Sequence, residues 1–174
     1  MRIRNLLFGA IALATGATYA QSGSEPDDPA VEFLPPADLS ALLDDGLDTV
    51  RPGEVVIWTL TIDNVGINGL SDVLLTSAQS GNLSHVSWVC GATTGSRCTA
   101  SGFNAPNDSV TIAARGYVRY LITGTVGADA RGSVGFSVSA AAPAGFIDVD
   151  PDNNQSTDTD VVVSDTIFVN GFEH

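Results

Sequence analysis

The sequence predicts an all-β protein: an immunoglobulin-like antiparallel β-sandwich of seven or eight strands, with one disulfide. Three observations predict it. Apolar and polar residues alternate along several segments, the period of a half-buried strand. Turn signals recur about every eight to twelve residues from Ala37 onward, which is the spacing of a sandwich or barrel. The composition, with 31 Ser or Thr, 18 Val and 18 Gly, favours strands and turns over helices.

The elements follow in order. Ala37 to Leu43 is ambiguous: Leu39, Leu42 and Leu43 fit a helical face that Asp38 caps, or the segment is a first strand. Asp44-Asp45-Gly46 is a turn, and Arg51-Pro52-Gly53 is a tight one in which Gly53 supplies positive φ. Glu54 to Asp63 is the clearest strand, with Val56, Trp58, Leu60 and Ile62 on one face and Thr59 and Thr61 on the other. Asn64-Val65-Gly66 ends it. Asp72 to Ser77, Ser84 to Cys90 and Ser109 to Ala113 read as short strands. Gly116 to Val126 places Val118, Tyr120, Ile122 and Val126 inward and Arg119, Thr123 and Thr125 outward. Gly132 to Ala141 places Val134, Phe136, Val138 and Ala140 on one face. Ser156 to Val163 is the last strand.

The ends read differently. Arg2 and Arg4 precede an apolar stretch from Leu6 to Ala14, and Thr18-Tyr19-Ala20 supplies the small residues of a cleavage site. Residues 1–20 therefore read as a signal peptide. Residues 21–36 read as a disordered linker of Ser, Gly, acids and Pro. Residues 37–164 form the sandwich, and residues 165–174 are a C-terminal tail. A membrane span needs ~20 apolar residues, so none is expected after signal cleavage. An exported protein meets an oxidising compartment. There Cys90 and Cys98, across a turn-rich loop, are expected to form a disulfide rather than a redox or metal-binding thiol pair.

Charge removes several classes of function. Among 174 residues there are 20 acids, seven Arg and no Lys, a net charge of -13. Phosphate contacts need clustered Lys and Arg, so nucleic acid is not expected as a partner. The absence of Lys excludes Schiff-base chemistry and a P-loop lysine. Hydrolytic catalysis has little to work with, since the histidines are His85 and His174 and no G-x-S-x-G or H-E-x-x-H motif occurs. A secreted enzyme is therefore only the third functional alternative.

The ordered set Ala37-Asp38-Leu39, Val50-Arg51-Pro52-Gly53-Glu54, Trp58-Thr59-Leu60-Thr61-Ile62-Asp63-Asn64, Ser87-Trp88-Val89-Cys90 and Cys98 continues with Gly132-Ser133-Val134, Pro143-Ala144-Gly145 and Asp150-Pro151-Asp152-Asn153-Asn154. Together these resemble the bacterial surface and cell-wall repeat family catalogued as "domain of unknown function eleven", here as a single copy spanning Ala37 to Val163. The resemblance implies an immunoglobulin-like sandwich on exported or surface proteins, without established catalysis. It also implies that Trp88 packs near the disulfide. The ending Ile167-Phe168-Val169-Asn170-Gly171-Phe172-Glu173 resembles a short I-F-x-x-G-F-E terminus of exported proteins of some proteobacteria, which suggests a Gram-negative source.

Three candidate sites follow. Asp148, Asp150 and Asp152 alternate, with Asn154 beside them, and hard oxygen ligands in that pattern suit calcium. An EF-hand is excluded, because its sixth and twelfth positions are Asn153 and Thr159 here; the competing reading is a solvated turn leading into an edge strand. Asp158 and Asp160 share one strand face. In the tail, Ile167, Phe168 and Phe172 form an apolar stretch that either binds a partner's sheet edge or packs as a final strand. Phe103, in a Gly/Asn/Pro loop, is the candidate exposed contact, whereas Trp58 shares the inward face of its strand. The expected function is an exported, non-catalytic surface or extracellular module with structural, adhesive or interaction roles. Its partner would be a protein or envelope component. A calcium-dependent binding domain is the alternative.

Overall fold

A computed structural model describes residues 34–164. The expected signal peptide, nearly all of the expected linker, and Ile167, Phe168 and Phe172 of the tail lie outside the described residues. The strands are β1 (Pro36–Ala37), β2 (Leu39–Asp44), β3 (Thr49–Val50), β4 (Val55–Asn64), β5 (Leu70–Ser80) and β6 (Leu83–Ala92). They continue with β7 (Ser101–Phe103), β8 (Asp108–Ile112), β9 (Tyr117–Val126), β10 (Ser133–Ala141), β11 (Ile147–Asp148) and β12 (Gln155–Val162). A short 3-10 turn, Pro151–Asn154, leads into β12. Eight of these strands have five residues or more, matching the expected seven or eight; the other four are pieces of two or three residues.

Two five-stranded sheets form the sandwich, a first in the order β2-β4-β9-β6-β7 and a second in the order β3-β12-β10-β5-β8. The long neighbours pair antiparallel, and the short β1–β11 and β12–β3 pairs are parallel. The chain is thus an all-β, immunoglobulin-like sandwich. The ambiguous segment after Ala37 is strand. Leu39 and Leu43 are buried while Leu42 is 64% exposed, so the helical face that would group Leu42 with them does not exist.

The core follows from the alternation. Val56, Trp58, Leu60 and Ile62 of β4 point inward, as do Val118, Tyr120 and Ile122 of β9 and Val134, Phe136 and Val138 of β10. Trp58 meets Phe136 of the opposite sheet edge-on, centroids 5.0 Å apart, and Trp88 meets Tyr120 at 5.3 Å. Such edge-to-face pairs add to the stabilisation from apolar burial. The Tyr120 hydroxyl donates to Asp108 Oδ2 at 2.7 Å, tying β9 to β8 of the second sheet. Burial, then that bond and the Asp108 charge, raise the Tyr120 pKa. The buried Asn64 holds the turn that ends β4: its amide donates to Asn68 O at 2.7 Å and Ala113 O at 3.2 Å, and its Oδ1 accepts from Gly66 N.

Cys90 of β6 is joined to Cys98 in the loop before β7, and both half-cystines pack against the core. Breaking the bridge with Cys90→Ser and Cys98→Ser together should cost roughly 2.5 kcal/mol, the loop-closure entropy of so short a ring. Urea titration of the oxidised wild type and the double variant measures the difference. A shift below about 0.5 kcal/mol would show that the loop is held without the bridge.

Among the described residues, no strand lies beside the outer edge of β2. Its amides are met instead by side chains from the β11–β12 region. Leu39 N donates to Asp148 Oδ2 at 3.0 Å, and Leu43 N donates to Ser156 Oγ at 3.1 Å. Just past the strand, Asp45 N donates to Asp158 Oδ2 at 2.9 Å.

Candidate functional site

The cross-strand register explains why carboxylates enter the sandwich at one edge. Ser156, Asp158 and Asp160 of β12 lie opposite Val138, Phe136 and Val134 of β10, whose side chains all face the core. Partners in register share a face, so Asp158 and Asp160 point inward where apolar residues are the rule. Asp160 is fully buried, and neither of its carboxylate oxygens has a hydrogen-bond donor.

The loop between β2 and β3 closes over this edge. Asp44 Oδ1 accepts from Gly46 N and Asp45 Oδ1 from Leu47 N, two local Asx bonds that fix the Asp-Asp-Gly turn. The other Asp45 oxygen is buried without a donor. One carboxylate oxygen from each of Asp44, Asp45 and Asp158 lies within 4.8 Å of the other two. The Asp160 carboxyl contacts that of Asp45, outside the converging three.

Electrostatics record the crowding. Burial, then the charge and contact of the Asp45 carboxyl, push Asp160 up to about 7, with Asp158 and Asp48 adding repulsion. Burial and Asp45 raise Asp158 as well, against the opposing bond from Asp45 N.

The acidic run expected to bind calcium is arranged differently. Asp148 Oδ2 accepts from Leu39 N, and its Oδ1 accepts from Asp150 N at 3.1 Å. Asp150 Oδ2 accepts from the Asn153 amide at 3.2 Å. Asp152 is exposed, and Asn154 is buried at the end of the 3-10 turn. Among the described residues, the acids whose oxygens converge are Asp44, Asp45 and Asp158; Asp148, Asp150 and Asp152 do not converge. The alternation of Asp158 and Asp160 along one strand face is a visible signal of the junction. Asp44 and Asp45 carry no such signal, because Asp-Asp-Gly reads as a plain turn.

A second feature is the outer face of the first sheet. In one cross-strand row Thr59, Leu121 and Val89 are neighbours; in the next are Ile57, Thr123, Ser87 and Phe103. Ile57, Val89 and Leu121 are 55%, 54% and 44% exposed, and Phe103 is 82% exposed, as expected for a contact residue. Arg119 borders the patch, its guanidinium 5.0 Å from the Tyr117 ring centroid. The outer face of the second sheet carries Thr76, Ser137, Ser139, Thr157 and Thr159. Trp58 and Trp88 are buried, so neither offers a stacking surface for a sugar. His85 is exposed at an irregularity in β6, where its ring meets Ser84 Oγ at 3.2 Å. His174 lies outside the described residues.

The fold places the chain in the class of immunoglobulin-like β-sandwich domains. No protein-family model matches it, and no curated protein does. Among solved structures, the CARDB domain of the PF1109 protein from Pyrococcus furiosus, in solution, is similar over 75% of this chain and 98% of that domain, at 14% identity and a TM-score of 0.52. The likeness is one of fold. The same archaeal domain in a crystal with di-metal ions aligns at 15% identity and a TM-score of 0.46, covering 73% of this chain and 89% of that one. The collagen-binding domain of a Staphylococcus aureus adhesin aligns at 13% identity and a TM-score of 0.39, covering 72% of this chain and 96% of that one.

Proposed function

We propose that this chain is exported and serves as a non-catalytic surface or extracellular module, holding a protein or envelope component on the apolar outer face of the first sheet. The observation that carries the reading is the contrast between the two outer faces. One presents Ile57, Val89, Phe103 and Leu121 as neighbours in adjoining rows, whereas the other is mostly hydroxyl side chains, with exposed Leu74 and Val161 on separate strands. Contiguous exposed apolar surface marks contact sites on soluble domains. An uncharged patch on a chain of net charge -13 keeps like charges out of the contact itself. The signal-like start and the Cys90–Cys98 bridge support an oxidising destination. Among the described residues no helix is long and apolar enough to cross a membrane.

The test compares wild type with an Ile57→Asp, Leu121→Asp double variant in the native host. Both side chains are more than 40% exposed, so the melting temperature should stay within a few degrees of wild type. Envelope-associated protein should fall at least about tenfold, since charges in an apolar contact go unpaired. Wild type confined to the cytoplasm, or equal retention of both proteins on the envelope, would overturn the reading. A chain ending at Ser164, run alongside, reports whether Ile167, Phe168 and Phe172 serve as an attachment signal: its loss from the surface would assign them that role.

A further inference from the structure

We propose that Asp44, Asp45 and Asp158, with buried Asp160 against Asp45, form a calcium site that clamps the β2–β3 loop onto β12. Two independent observations carry this. The first is convergence: one oxygen from each of the three acids lies within 4.8 Å of the others. Oxygens ligating one ion at 2.3–2.6 Å stand no more than about 5 Å apart, so the spacing of these three is compatible with a single calcium.

The second is Asp160. It is fully buried, both its oxygens lack a donor, and its carboxyl faces that of Asp45, which has a donorless buried oxygen of its own. Three buried oxygens with no N–H or hydroxyl to accept from are a cost to the fold, and once Asp160 has lost the proton it can share with Asp45, a cation among them is what relieves it. A solvated surface cluster has no such need, because water satisfies it. The donor set is all oxygen and rich in carboxylate, which suits a hard divalent ion. A cluster of protein carboxylates suits calcium better than magnesium, which keeps several of its waters and uses only one or two carboxylates. The site is distinct from the 148–154 run, whose carboxylates do not converge. It does not depend on the apolar contact face.

The experiment uses the full chain, stripped with chelator and titrated with calcium chloride at about pH 7.5, read by calorimetry and by thermal melting. The expected result is one ion per chain, a Kd near the 0.1–1 mM of extracellular modules, and a melting temperature that rises with calcium and much less with magnesium. Asp45→Asn with Asp158→Asn should weaken binding at least about tenfold. Asp148→Asn with Asp152→Asn should leave it unchanged. Asp160→Asn guards against misfolding: its amide supplies a donor to Asp45, so it should raise the melting temperature of stripped protein while weakening calcium binding. No heat and no thermal shift at about 5 mM calcium would overturn the site, as would loss of binding in the Asp148/Asp152 variant but not in the Asp45/Asp158 variant.

Discussion

Acidifying the metal-free protein from about pH 8 to about pH 5 should raise its melting temperature by roughly 10 °C, against the usual trend for a carboxylate-rich protein. The cause is Asp160. Its pKa lies near 3.8 in the unfolded chain and is raised to about 7 in the fold. Between those values the folded state keeps a proton that the unfolded state has released. The stability linked to that proton is complete below the unfolded pKa and is lost as pH climbs through about 7. From pH 5 to pH 8 the loss is roughly 3 kcal/mol, since each tenfold difference in proton affinity is worth ~1.4 kcal/mol. Asp158 and Asp63 are raised too, Asp158 by burial and then Asp45, Asp63 by burial against the pull of Arg119, so they act in the same direction. Melting curves in chelator across this range check the sign. A curve that is flat or rises with pH would remove the buried-acid explanation, and Asp160→Asn should flatten a falling one.

Gly135→Ala should destabilise the fold by about 4 kcal/mol or more, enough to prevent folding at physiological temperature. A Cβ at Gly135 would stand 2.0 Å from the backbone oxygen of Asp158 and 2.8 Å from Thr159 Cα. No rotamer relieves a clash with backbone. β12 would have to leave β10, taking Asp158 and Asp160 with it. Gly91→Ala is the matched control, since nothing lies within 4 Å of its added carbon and it should change stability by less than about 0.5 kcal/mol. Equal urea midpoints for the two variants would mean that β12 shifts at little cost.

Much of the sandwich was legible because a strand declares itself through neighbours two residues apart. The inward residues of β4, β9 and β10 are those the alternation selects. β2 was harder, since three leucines within five positions satisfy a helical stripe as readily as a strand. Only packing shows that Leu42 faces solvent. The acidic junction was illegible for a different reason. Asp45 and Asp158 are separated by 113 positions, and the register between β10 and β12 decides that Asp158 and Asp160 face the core. Local density drew attention to Asp148, Asp150 and Asp152, where Asp148 is turned to backbone amides, Asp150 to the Asn153 side chain and Asp152 to solvent. The bulge in β6 that exposes His85, and the one in β5 where Asp72 takes positive φ, likewise leave no period in the sequence.

The side chains that meet the β2 amides have a further consequence. An open strand edge invites a strand from another molecule. Here Asp148, Ser156 and Asp158 have already taken the donors at Leu39, Leu43 and Asp45 that such an intruder would need. The acids also surround that edge with negative charge. Recruitment of β2 into a growing stack is therefore opposed by side chains of the β11–β12 region. Assembly through this border of the sandwich would first require β12 to let go.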